Sequence, residues 1–220
     1  MEFAQQLLAG LHTIITDMKQ HFGLIKVRVL DVPCGDVQYM SRFLEGRDDI
    51  IYTGIDIVPD LIEHHRKTYA DRPWTFRTAD IVTDSTSVNN FDVIISRMMM
   101  QHLQNADVFN VLKKLSSETR HPSFLFATTY SSYPTNIELN TNVRGRARYQ
   151  NLELEPFRLE PPICLLLDGP YRARKGHYMG LWRLPLMTIP KYFCENGKKA
   201  AFTTKLSRAP SYSCVSWNFF

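Results

Sequence analysis

Between Val27 and Asp36 the chain reads VRVLDVPCGD, an apolar run closing on Asp31 and followed by a tight turn through Pro33, Cys34 and Gly35 to Asp36. Such a segment predicts a buried strand that delivers a carboxylate and a close-approaching backbone to its carboxyl end. Open α/β sheets bind nucleotide-like ligands at that end, in the crevice outside the strands. Gly35 lets the backbone approach a ligand where a side chain would clash.

Three further runs repeat the theme. Ile50 to Ile57 (IIYTGIDI) carries Asp56 near its end, Trp74 to Ile81 (WTFRTADI) carries Asp80, and Phe91 to Arg97 (FDVIISR) leads into Met98, Met99, Met100, Gln101 and His102. An acid terminating a buried strand is costly unless something there needs it. At the end of the second run it can accept from both hydroxyls of a ribose, as in dinucleotide folds.

Helical patterns lie between these runs. Leu7, Leu8, Leu11, Ile14, Ile15 and Met18 recur at the spacing of an amphipathic helix. Asp36 precedes a helix to about Leu44, and Pro59 suits the first turn of a helix through Tyr69. Val108, Val111, Leu112 and Leu115 give another stripe before a fifth run, Ser123 to Thr129. Strand and helix in alternation predict a parallel sheet covered on both faces, with right-handed crossovers bringing the strand ends to one edge. Past Tyr130 comes a polar loop and then NLELEPFRLEPP, followed by two strand-like runs, Ile163 to Leu167 and His177 to Leu184. The whole reads as one domain over 1–190, with an irregular insertion at 131–162 placed on the substrate side. A basic extension of unassigned role follows at 191–220.

A length of 220 residues with 44% hydrophobic composition supports one full core. The net charge of +4 is too small to demand a nucleic-acid partner. Four cysteines stand without metal-ligand spacing, so no metal site is expected and reduced thiols are the default. No stretch reaches the ~20 apolar residues that cross a bilayer, and no secretory leader pattern opens the chain. A cytoplasmic location follows as an expectation.

Over Val27 to Tyr130 the chain resembles the class I S-adenosylmethionine-dependent methyltransferases, with Pro-Cys-Gly in place of the commoner acid-x-Gly-x-Gly first motif. The resemblance implies a Rossmann-like methyltransferase fold, α/β, with a mainly parallel seven-stranded sheet flanked by helices and ending in an antiparallel pair. It implies S-adenosyl-L-methionine as cofactor. Asp31 and the turn residues Pro33, Cys34, Gly35 and Asp36 then lie beside the methionine part, Asp56 and Ile57 take the ribose, and Asp80 and Ile81 take the adenine. Ser96 to His102 face the transfer site.

Methyl transfer from a sulfonium is an in-line displacement that depends chiefly on alignment, and an oxygen acceptor gains from a general base. His102 is placed for that role, or else caps and packs a helix. Arg97 either orients the acceptor or pairs with an acid. Cys34 lacks an activating neighbour in sequence, leaving packing or cofactor contact. Arg144, with Arg146, Arg148 and Tyr149, forms the concentrated basic patch and is a candidate for an anionic substrate. His177, Tyr178, Trp182 and Arg183 resemble an acceptor-side wall, with core packing the alternative for Trp182. The expected activity is O-methylation of a small molecule or glycan hydroxyl. Its rivals are protein or RNA methylation and a non-catalytic cofactor-binding module. A nicotinamide dehydrogenase is disfavoured by the missing G-x-G-x-x-G turn.

Overall fold

The computed structural model describes residues 4–85, 88, 90–117, 123–131, 134–136, 147–168 and 177–186. Arg144, Arg146 and the 191–220 extension lie outside these residues.

Helix α1 (Gln5–Phe22) buries Leu7, Gly10, Leu11, Ile14, Ile15 and Met18 along one stripe and ends at Gly23, whose φ of 66° supplies the left-handed stop. The chain then builds β1 (Val27–Asp31), α2 (Gln38–Leu44), β2 (Ile50–Asp56), α3 (Pro59–Thr68), β3 (Thr75–Thr78) and β4 (Val93–Ser96). A short 3₁₀ turn (Met100–His102) and α4 (Asn105–Ser117) lead to β5 (Ser123–Tyr130), β6 (Cys164–Leu167) and β7 (His177–Leu184). The strand ends fall within a residue or two of the sequence expectation, except that Asp80 and Ile81 lie in the turn beyond β3 rather than on it.

The seven strands form one sheet in the order β3-β2-β1-β4-β5-β7-β6. All pairs from β3 to β5 are parallel, and β7 runs antiparallel to both β5 and β6. From β1 the chain winds outward to β2 and β3, then returns to lay β4 and β5 on the other side, so the winding reverses between β1 and β4. A doubly wound sheet opens its ligand crevice at this switch point. The fold is thus Rossmann-like, with the antiparallel strand pair at the far edge.

Two cores sandwich the sheet. On one face α1, α2 and α3 press Leu11, Ile15, Met40 and Ile62 onto Val29, Tyr52 and Phe126. On the other, α4 sets Val108, Val111 and Leu115 onto Leu30, Ile94 and Leu125. The insertion contributes to this face as well. Its described portion drives Leu152, Phe157 and Leu159 into this second core, and Phe157 meets Phe109 of α4 at 5.2 Å. That described portion buries apolar area the sheet would otherwise expose.

Candidate functional site

The rim of the switch point is set by register. In the parallel ladders Asp31 lies opposite Gly54 on one side and Ile95 on the other, and Asp56 pairs with Thr78. The ends of β1, β2 and β4 therefore stop at neighbouring levels, bringing acids distant in sequence to one edge.

Asp31 is fully buried. Tyr52 donates its hydroxyl to Oδ2 at 3.1 Å, while Oδ1 has no partner among the described residues. Burial pushes the carboxyl up to about 7, against the pull of the Tyr52 bond and the Arg97 charge and with a further push from Asp56.

The turn that follows is held from several sides. Gly35, at φ 53°, donates its N–H to Asp56 Oδ2 at 3.1 Å, and its carbonyl accepts from His65 Nε2 at 2.7 Å. Asp36 Oδ1 accepts from the N–H of Gln38 at the start of α2. Val37 sits at φ 58° although β-branched, and Met98, just past β4, at φ 60°. Met98 lines the crevice and Val37 is buried in the core behind the turn, so left-handed backbone at a non-glycine residue meets the ligand edge at Met98. Cys34 points away from the crevice into the core. A Cβ on Gly54 would come within 3.0 Å of its Sγ, so the glycine makes room for the thiol. Burial, and then the Asp31 charge, push that thiol far above its ordinary range, which disfavours a thiolate, and the residue sits in the core cluster beneath the turn.

Asp56 uses Oδ1 for the Val58 N–H at 3.1 Å, leaving each oxygen with lone-pair capacity toward the rim. Beside it Ile57 and Val58 are 60% and 47% exposed, apolar groups left uncovered at the edge. Asp80 folds its carboxylate onto the Val82 N–H and the Thr83 hydroxyl, and Ile81 is buried beneath. Asp56, Ile57, Asp80 and Ile81, with Val32, Pro33, Ile55, Ala79, Val82, Met98, Met99, His102 and Leu103, line a cleft of about 330 Å³. The structure thus brings Pro33, Asp56, Ile57, Asp80, Ile81 and His102 to a common cavity. Asp31, Cys34, Gly35, Asp36, Ser96 and Arg97 stand outside its lining.

Arg97 answers one alternative directly. Its Nη2 and Nε reach Asp168 at 2.9 and 3.1 Å, and its guanidinium lies over the Tyr39 ring at 5.3 Å. Asp168 follows β6 and is buried, and His177 Nε2 stands 3.4 Å from its other oxygen. His177 stacks on Tyr130 at 4.7 Å, and Tyr130 donates to Gln101 at 3.1 Å, next to the exposed His102. Ser96 Oγ is buried with no partner among the described residues.

Trp182 corrects one expectation. It is 4% exposed, packs in the core beside α4 and gives its indole N–H to the Glu160 carbonyl at 2.8 Å, so it cannot wall an acceptor. Tyr178 is half-buried on β7 and does not line the cleft. Sequence reasoning missed Tyr52, Tyr39, His65 and Asp168, and it read His177 as part of an acceptor-side wall, whereas that residue is buried between Tyr130 and Asp168. A polar ring tip inside the apolar run IIYTGID was the one local signal, for Tyr52. No group of His, Cys, Asp and Glu among the described residues is arranged to hold a metal, and no helix among them is long and apolar enough to cross a membrane.

Residues 29–121 match a family profile described as a methyltransferase domain. This stretch contains the end of β1, all of β2 to β4, every acid of the cleft and His102. Comparison with curated proteins gave no match. Among solved structures, similarity extends to PKMT2 from Rickettsia typhi (21% identity, 55% of this chain and 25% of that one, TM-score 0.45). It extends also to the plantazolicin methyltransferase BpumL in complex with SAH (20% identity, 56% and 46%, TM-score 0.46). A third is an S-adenosylmethionine-dependent methyltransferase from Clostridium acetobutylicum (14% identity, 54% and 49%, TM-score 0.42). The chain matches less than half the length of each of these proteins.

Proposed function

We propose that the chain is a class I methyltransferase that binds S-adenosyl-L-methionine across the β1/β4 switch point and methylates an oxygen of a small molecule or glycan. The carrying observation is that Asp56, Asp80 and Ile81 share one cleft with an exposed histidine, His102. The residues present fit the cofactor. A fully buried carboxyl that desolvation holds near neutrality despite the Tyr52 and Tyr39 hydroxyls, Asp31, suits a cationic group that enters only on binding. Asp56 has lone pairs left for ribose hydroxyls, and Ile57, Ile81 and Val82 offer apolar faces to a purine.

When bound, the cofactor supplies an electrophilic methyl group on a sulfonium. The chain's own residues align and deprotonate. Asp56 fixes the ribose and with it the direction of the transferable group. Asp31 opposes the positive charge of the methionine end, and Arg97, locked by Asp168 and Tyr39, stands nearby as a fixed cation. Met98 and Met99 form an adaptable apolar wall on the acceptor side. His102 takes the proton of the attacking hydroxyl. Positioning accounts for most of the acceleration, roughly 7–11 kcal/mol, and the base for roughly 10²–10⁴-fold.

Incubation with cofactor carrying a labelled methyl group and with fractionated cell extract tests this reading. Label entering a small-molecule or glycan fraction in a base-resistant ether supports it. Label in protein or RNA alone would move the acceptor class, and no transfer to any fraction would remove the activity.

A further inference from the structure

We propose that His65 is a positioning residue for cofactor binding, setting the orientation of the Gly35–Asp36 peptide through a hydrogen bond from its imidazole. This rests on the reading of the Pro33–Asp36 turn as part of an S-adenosylmethionine site.

His65 lies in the last turn of α3 and is 2% exposed, one of two buried residues on that helix, the other being Ile62. Its ring packs against Phe76 at 5.2 Å and Tyr69 at 6.1 Å, an environment in which leucine would pack as well. What the imidazole adds is polar. Nε2 stands 2.7 Å from the Gly35 carbonyl oxygen, and a carbonyl only accepts, so Nε2 carries the proton. Nδ1 is buried with no partner among the described residues. Burying an unsatisfied acceptor is unfavourable, and a histidine at such a place needs a compensating bond. The bond to Gly35 is the one it makes.

That bond falls on a glycine already tied at its other end, where the Gly35 N–H donates to Asp56 Oδ2. One residue at φ 53° is therefore gripped at its amide by the proposed ribose acid and at its carbonyl by α3. Glycine at positive φ has neighbouring conformations open to it, and two grips select one. Because the peptide is planar and trans, turning the carbonyl onto His65 turns the Asp36 N–H the opposite way, away from α3. A hydrogen bond accepted by the carbonyl also polarises that N–H into a stronger donor. Loss of the His65 bond frees the peptide to rotate, and it loosens Asp56 through the shared glycine.

Calorimetric titration of the full chain with S-adenosylhomocysteine tests this, comparing wild type with His65→Leu and His65→Gln and checking each fold by melting and circular dichroism. Glutamine places its amide N–H near the position of Nε2, whereas leucine keeps bulk alone. The expected result is binding about tenfold weaker in His65→Leu and mostly restored in His65→Gln. Equal affinity in wild type and His65→Leu would overturn the proposal, as would equal weakening in both variants, which assigns the residue to packing. Should the leucine variant fail to fold, long-range ¹H–¹⁵N correlation on the wild type decides: a proton on Nε2 is expected, and an Nδ1–H tautomer refutes the bond. No binding by wild type would instead remove the cofactor reading itself.

Discussion

Asp31→Asn isolates the electrostatic core of the proposed site. In the free protein burial holds the Asp31 carboxyl at about 7, so it is ionised in about half the molecules at pH 7 and in about one in eleven at pH 6. A cationic ligand favours the carboxylate, so its binding lowers that value and expels protons. Affinity should then rise with pH, with the free-state protonation costing a factor of about 11 at pH 6, about 2 at pH 7 and about 1.1 at pH 8. The change from pH 8 to pH 6 is about tenfold, or ~1.4 kcal/mol, and at pH 7 about half a proton leaves per ligand bound. Titration calorimetry with S-adenosylhomocysteine, in buffers of different ionisation heat, reads both quantities. Asparagine keeps the shape and abolishes the titration, and any proton belonging to the ligand is common to both proteins and subtracts out. Linkage gives a second sign. The folded chain holds this proton up to about 7 and the unfolded chain only to the ordinary 3.8, so stability without ligand falls as pH rises between them. The variant should lack that fall and melt higher than wild type at pH 8. A pH profile unchanged by the substitution would refute the assignment of Asp31 to the cationic group.

Asp56→Ala removes the acceptor for the Gly35 and Val58 N–H groups as well as the ribose partner; loss of S-adenosylhomocysteine binding is expected, with a stability cost of about 1–3 kcal/mol by denaturant titration. His102→Ala should lower turnover about 10²–10⁴-fold at unchanged cofactor affinity, and full turnover would strike it as the base. Trp182→Ala should destabilise by about 3–5 kcal/mol, seen as a lower denaturant midpoint. Trp182→Phe should leave the Michaelis constant for any acceptor unchanged, since the indole lies in the core.

The parallel half of the molecule could be read from sequence because its signals are local. Each strand is a short apolar run, each crossover helix has an apolar stripe, and Asp31 and Asp56 close their runs where chain direction must place them on the rim. Register then does what spacing along the chain cannot. The rest resisted reading for identifiable reasons. Asp168 and His177 reach Arg97 and Tyr130 from the antiparallel pair, separated from Arg97 by a stretch whose length carries no rule. Trp182 misled because β7 is covered on both faces for most of its length, so side-chain alternation does not tell core from crevice. The cover comes from 152–159, a proline-punctuated run with no helical period, which looked like a loop.

The salt link between Arg97 and Asp168 has a consequence for how such a molecule comes into being. A ribosome extends this chain through all five parallel strands before Asp168 has been added. Until the closing strands arrive, the guanidinium lacks the carboxylate that holds it by hydrogen bonds, and Asp31 alone opposes its charge. The last-made edge of the sheet thus anchors a cation made much earlier, and a chain cut short before Cys164 would keep every residue of the cleft lining with that cation unanchored.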